Sequence, residues 1–206
     1  MPRASSTTRR RRSGRGNASK NKAAILAVAS RLIARHGIHG LRVDEVAREA
    51  GVATSLLYYY FKDRSGLIQE AFEYASEHAP STALRLASDT RSGYEALEVA
   101  LLAELDDNSE QRNYAIVWGE ACARAVFEPE LRATAQRITR SWRATVAGGI
   151  SRGMSDGSIR SDIDPETTAD LLISLIEGLS LRWLAGTVEV DAARELFTAK
   201  LAELKA

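Results

Sequence analysis

Hydrophobic and polar positions along the first third of the chain fall into three short helical patterns. From Asn21 to His36, apolar residues recur at Ala24, Ile25, Val28, Ala29, Leu32 and Ile33, the stripe of an amphipathic helix. Gly37 follows as its expected stop. A second helix is expected over Val43–Ala50, with Val43, Val46, Ala47 and Ala50 on one side and Asp44 and Glu45 in the first turn, where the helix dipole favours acids. Gly51 allows a sharp turn, Val52 pins it to the core, and a third helix begins near Thr54. Helix, glycine-bearing turn, helix is the helix-turn-helix pattern.

The stretch GVATSLLYYYFKDRSGL then places Tyr58, Tyr59, Tyr60 and Phe61 in a row. A helix of a soluble domain buries one face, so these rings cannot all enter one core. Val52, Leu56, Leu57 and Phe61 can share the buried side, with Tyr58 or Tyr60 at its edge. Thr54, Ser55 and Tyr59 are left outward near the amino end, the part of a recognition helix that reaches base edges in the major groove. A tyrosine hydroxyl can bond a phosphate while its ring packs on sugar or a thymine methyl. Lys62 and Arg64 follow at the end of a turn, placed for phosphates.

The remaining chain reads as helix throughout, with segments near 67–88, 93–106, 109–127, 130–154, 166–186 and 191–205. In DIDPETTADLLISLIEGLSLRWL, Asp164 is a natural N-cap and Pro165 suits the first helical position. Beyond them the segment is apolar nearly all round, so it must be covered on more than one side. One side belongs to its own core. The other is expected to meet a second copy through Leu172, Leu175, Ile176, Leu179 and Trp183, with the 191–205 helix alongside, giving a twofold four-helix interface. GGISRGMSDG, from Gly148 to Gly157, lacks the spacing of a phosphate loop and reads as a fraying helix end and turn.

Charge changes this picture at one end. The 206 residues carry a net +1, but residues 1–22 hold 8 of the 28 basic side chains and no acid, leaving 20 basic against 27 acidic elsewhere. A basic arm on an acidic body suits a polyanionic partner at that end. The arm's first 18 or so residues, rich in Ser, Gly, Asn and Arg, are expected to be disordered in isolation. The single cysteine, Cys122, fits a reducing cytoplasm and leaves no disulfide within the chain. No apolar run of about 18 residues is present, so no membrane span is expected. His36, His39 and His78 have no partners at metal-ligand or catalytic spacing, so no metal, cofactor or catalytic set is expected.

From about Lys22 to Phe72 the chain resembles the tetracycline-repressor (TetR) family of bacterial transcriptional regulators. The resemblance rests on Val46-Ala47, Ala50-Gly51-Val52, Leu57-Tyr58-Tyr59-Tyr60-Phe61 and Arg64-Ser65-Gly66-Leu67 at fixed spacing. It implies an all-α fold: a helix-turn-helix DNA-binding domain over 19–66 after the arm 1–18, then a helical ligand-binding and dimerisation domain over 67–206. It also implies a cytoplasmic, non-enzymatic homodimer that binds double-stranded DNA and an unidentified small-molecule effector. Carried over by position, Thr54, Ser55 and Tyr59 face the groove, while Tyr58, Tyr60, Lys62 and Arg64 hold the backbone. Arg42 stands where the family usually has a Ser or Thr that caps the helix and touches phosphate; it can still bind phosphate but caps poorly, and Ala53 replaces a usual Ser, so Thr54 or water must serve the first amides of the third helix.

In the family, helices placed like WGEACARAVFEPELRATAQRITRSW enclose the ligand. Trp118, Glu120, Cys122, Phe127 and Trp142 are therefore the expected pocket residues, with Arg137 a further polar candidate and Tyr94, Tyr114 and Trp183 similar aromatic ones. Glu120 and Arg137 as the polar groups point to an effector with an apolar body. The expected function is a palindrome-binding regulator, a repressor released by its ligand. The alternative is a sequence-tolerant, nucleoid-type DNA binder using the arm.

Overall fold

The computed structural model describes residues 7–77 and 92–206, except for the side chains of 7–18. Its helices are α1 (Thr7–Gly40), α2 (Val43–Glu49), α3 (Thr54–Phe61), α4 (Arg64–Glu77), α5 (Gly93–Leu102), α6 (Ser109–Ala125), α7 (Pro129–Ser155), α8 (Pro165–Leu184) and α9 (Val190–Ala202). A 3-10 turn, Ala103–Leu105, extends α5. Among the described residues the only extended pairing is one antiparallel bridge between Ile159 and Lys205. The chain is all-α, as expected.

Two compact units divide between Tyr74 and Ala75. In the first, α1 contributes Ile25, Leu26, Val28, Ala29, Leu32 and Ile33 to a core shared with Val46 and Ala47 of α2 and Leu57 and Phe61 of α3. Leu67, Ile68, Ala71 and Phe72 of α4 complete it. Ser30 Oγ donates to the Ala71 carbonyl at 3.1 Å, and Lys22 pairs with Glu70 at 2.5 Å. The opening turns of α4 thus belong with the first unit, beyond the boundary expected at Gly66, because they cover one flank of α1.

Helix α1 breaks at Gly37 (φ 70, ψ 167), where the stop was expected. At its other end the helix runs back to Thr7, so residues 7–18 of the expected disordered arm form its amino-terminal extension. The Arg9–Arg12 run contributes good helix formers, and adding a residue to an existing helix costs far less than nucleating one. Residues 1–6, and the end of the segment expected at 67–88, lie outside the described residues.

The second unit packs α5, α7, α8 and α9 around Leu97, Leu101, Val146, Ile150, Leu172, Ile176 and Phe197. Asp164 caps α8 as expected, its carboxylate accepting from the Thr167 amide at 2.8 Å. The helix expected over 130–154 is present as α7, but its end does not fray: Gly153 is buried. The reason is tertiary. Helix α5 begins there, its Gly93 amide donating to Asp156 Oδ2 at 2.6 Å and its Tyr94 amide to Ser158 Oγ at 3.0 Å.

Candidate nucleic-acid interface and effector cluster

Helix α2 starts after Arg42, whose backbone is extended and whose exposed side chain makes no cap bond. Its other end closes at Gly51, where φ 66 is open to glycine at little cost, and the Val52 amide returns to the Ala47 carbonyl at 3.0 Å. Helix α3 follows with Ala53 as an N-cap that has no side-chain bond. Thr54 does not take over that duty. Its hydroxyl donates instead to Asp44 Oδ1 at 3.2 Å, joining the first turns of α2 and α3.

The aromatic row divides cleanly. Phe61 and Leu57 are buried, Tyr58 is exposed, and Tyr59 stands 79% exposed. Tyr60 is half-buried, its ring edge-on to Tyr59 at 5.5 Å and tilted against Phe61 at 6.0 Å. Ser55 is exposed beside Thr54, which is half-buried.

The two cations after α3 part company. Lys62 is exposed and sits at φ 63, ψ −55, with the Asp63 amide donating to the Phe61 carbonyl at 2.7 Å. That is a γ-turn of the strained hand, costing about 1–3 kcal/mol for a non-glycine residue. Arg64, expected on phosphate, is half-buried. Its Nε donates to the Leu41 carbonyl at 3.1 Å, and its Nη2 donates to the carbonyls of Ile38 and His39 at the end of α1.

The expected subunit-contact set needs correction. Leu172, Ile176 and Leu179 lie in the core of their own unit, and Leu175 packs half-buried against it. Trp183 is buried too, with the Arg112 guanidinium 5.4 Å from its ring centroid. The apolar positions of α8 left bare are Leu171 at 60% and Leu181 at 64% exposure, joined by exposed Leu196 on α9. Leu171, Ser174, Gly178 and Leu181 share one helical stripe, all exposed. The buried positions Ala169, Leu172, Ile173, Ile176, Leu179 and Trp183 recur at helical spacing, and most of the set named from the sequence falls on that inner stripe.

The effector set is also partly redrawn. Phe127 is 84% exposed in the turn between α6 and α7 and walls nothing. Trp142 rests half-buried against the second-unit core, Glu120 is half-buried, and Arg137 is exposed with Nη2 3.5 Å from Thr134 Oγ1. Trp118, Cys122 and Tyr114, the last a further aromatic candidate, do share a polar cluster, with Gln111, Glu104 and Glu177 as members the sequence did not assign. Helix α6 puts Gln111, Tyr114, Trp118 and Cys122 on one stripe. Gln111, 1% exposed, donates through Nε2 to the Glu104 carbonyl at 2.8 Å and to Glu104 Oε2 at 3.1 Å, while its Oε1 has no hydrogen-bond partner. Across from α6, Glu177 of α8 accepts a bond from the Trp118 side chain.

Electrostatics tie these groups together. Burial, then the charges of Glu104, Glu177 and Cys122, push the Tyr114 hydroxyl well above its ordinary range. Burial and Glu177 push the Cys122 thiol up to about 12, so it is no nucleophile at neutral pH. Part of Glu177 reaches solvent, yet desolvation raises its carboxyl, opposed by the Trp118 bond. Among the described residues no cation contributes to these shifts. The cluster joins two carboxylates to a phenol and an indole. Glu104 and Glu177 were missed because their nearness to α6 is set by the chain's return, not by spacing. The helical register of Gln111, Tyr114, Trp118 and Cys122 was the one available signal.

Among the described residues no group of His, Cys, Asp and Glu could hold a metal ion, and no helix is long and apolar enough to cross a membrane. Residues 25–71 match the family of bacterial regulatory proteins, tetR family, and residues 93–205 match the BetI-type transcriptional repressor, C-terminal, family. A TetR-family transcriptional regulator from Rhodococcus sp. is 34% identical, with a TM-score of 0.83 over 91% of this chain and 100% of its own. A transcriptional regulator from Saccharomonospora viridis, solved in complex with choline, is 26% identical with a TM-score of 0.79, covering 89% of this chain and 96% of that one. The HTH-type transcriptional regulator BetI of Serratia proteamaculans is 27% identical over 148 residues, 71% of this chain and 72% of the relative. Each of these relatives is a transcriptional regulator. With both halves matched, this chain belongs to the TetR family of bacterial transcriptional regulators and carries a BetI-type C-terminal domain.

Proposed function

We propose that the protein is a dimeric repressor that reads a palindromic operator through paired α3 helices and is released by a small organic cation. The observation that carries the DNA reading is the outward face of α3: Ser55, Tyr58 and Tyr59 are exposed on a helix whose Leu57 and Phe61 are locked into the core. One helix of this length reads few base pairs, so two copies about 34–36 Å apart, or a multiple of that, are needed for a specific site. The bare leucines of α8 and α9 supply a surface for the second copy.

The effector class follows from charge. A quaternary ammonium cannot donate hydrogen bonds; it is held by carboxylates at short range and by the faces of aromatic rings. Glu104, Glu177, Tyr114 and Trp118 are that set of groups, and the S. viridis neighbour was solved with choline. This replaces the apolar-bodied effector expected from Glu120 and Arg137. The cation need only bind the DNA-incompetent conformation more tightly, which for typical couplings lowers operator affinity about 5- to 150-fold.

Selecting bound duplexes from a random pool, with and without choline, tests both halves. An enriched palindrome with choline-dependent release is expected; enrichment without a palindrome favours sequence-tolerant binding instead. Thr54→Ala combined with Tyr59→Ala should shift the enriched bases, and an unchanged site would reject α3 as the reading helix. Glu177→Gln should weaken the choline response about tenfold or more. Because the Glu177 carboxyl is raised, its charge is lost early on acidification, so choline affinity should fall as pH descends through that titration.

A further inference from the structure

Arg64 spans two parts of the first unit that the sequence separates. It follows the γ-turn that ends α3, and its guanidinium donates to the carbonyls of Ile38, His39 and Leu41. Those carbonyls lie in the segment that closes α1 and leads, through Arg42, into α2. The chain leaves α1 at this segment, runs through α2 and α3, and comes back to it at Arg64. The helix-turn-helix is thereby closed into a ring, with Arg64 as the clasp.

Other contacts fix the clasp in register. The strained turn at Lys62 directs the chain away from α3, and Asp63 Oδ1 caps the next helix by accepting from the Gly66 amide at 2.8 Å. The planar guanidinium, with several donors in fixed directions, can span carbonyls of three residues; an ammonium is a compact point charge on a flexible stem. Half-buried, Arg64 has its Nε and Nη2 engaged on carbonyls before any DNA arrives, whereas Lys62 stands exposed on the surface.

We propose that Arg64 is a positioning residue that holds α3 in its reading pose, and that Lys62 is the phosphate contact of the pair. The inference rests on α3 being the DNA-reading helix. It separates two roles that a motif of neighbouring cations would merge. A phosphate contact contributes to the salt dependence of binding to every duplex; a clasp contributes only to binding that needs the helices correctly set.

The test is the affinity of the full-length protein for its selected operator and for a random duplex, across a salt series, well below the melting temperature. Lys62→Ala should weaken both duplexes alike and reduce the slope of log K against log salt by about 0.9 for each phosphate that is no longer neutralised. Arg64→Ala should leave that slope unchanged while lowering the operator-to-random ratio tenfold or more, and Arg64→Lys should not restore the ratio. A flattened slope in Arg64→Ala that Arg64→Lys restores, or an unaltered ratio, overturns the proposal. Should Arg64→Ala fail to fold, Arg64→Lys decides alone, since a phosphate contact would survive that exchange and a clasp would not. Wild-type protein that ignores every duplex would instead sink the DNA reading, a result distinct from either.

Discussion

Gly93→Ala is expected to lower the melting temperature of the C-terminal unit by about 10 °C, the equivalent of about 3 kcal/mol or more. A Cβ at Gly93 would lie 2.3 Å from the Gly153 nitrogen, 2.4 Å from the Gly153 Cα and 2.9 Å from the Arg152 carbonyl carbon. Backbone meets backbone there, so no side-chain rotation relieves the clash. Helix α5 would have to move off α7, and the Gly93 amide would lose its 2.6 Å bond to Asp156. Nor can Gly153 retreat easily, since its own Cα faces the Ile159 side chain: a Cβ on Gly153 would lie 2.5 Å from Ile159 Cδ1. Gly148→Ala is the matched control. Gly148 is an exposed interior position of α7 with nothing within 4 Å of an added Cβ, so alanine should be neutral or stabilise by up to about 1 kcal/mol. All 3 tryptophans, Trp118, Trp142 and Trp183, lie in this unit, so their fluorescence reports its melting. Unaltered melting of Gly93→Ala would mean the helices do not cross there.

The second large effect is expected from Leu171→Glu with Leu181→Glu: a folded monomer whose operator affinity falls about a thousandfold or more. Burying a leucine contributes about 1.5–3 kcal/mol, and a twofold interface counts each substitution twice. Removing those side chains and forcing carboxylates against each other outweighs an ordinary dimer's binding energy. A lone protomer then offers one α3, and the operator's second half goes unread. Both leucines are exposed within their own chain, so melting of the isolated protomer should change by no more than about 0.5 kcal/mol. Leu172→Glu, one residue away, should instead unfold the unit, because Leu172 is 1% exposed in its core. Sedimentation together with operator titration checks the pair. A Leu171→Glu, Leu181→Glu protein that remains dimeric would move the subunit contact elsewhere.

That contrast between Leu171 and Leu172 marks where sequence reading stops. Features set by neighbours in the chain were legible: the starts of α2 and α8, the Gly51 turn, the Asp164 cap and the inward Phe61 with outward Tyr59 all follow from spacing, dihedral freedom and short-range hydrogen bonds. Periodicity carries such information because one turn of helix fixes which residues share a face. On helix α8 the extra leucines Leu171 and Leu181, outside the buried stripe, blurred which side its own core takes.

What only the tertiary structure decided is the partner of each side chain once the chain returns on itself. Arg64 reads as a surface cation from its neighbours, yet the carbonyls of Ile38, His39 and Leu41, far back in sequence, engage it. The end of α7 reads as loose, yet the arrival of α5 makes Gly153 a buried crossing. Glu104 and Glu177 are ordinary acids in the sequence and become one electrostatic set with Tyr114 only when α8 comes to lie beside α6. The physical reason is the same in each case. Desolvation and directed hydrogen bonding act over a few ångströms of space, whatever the number of residues between the groups they join.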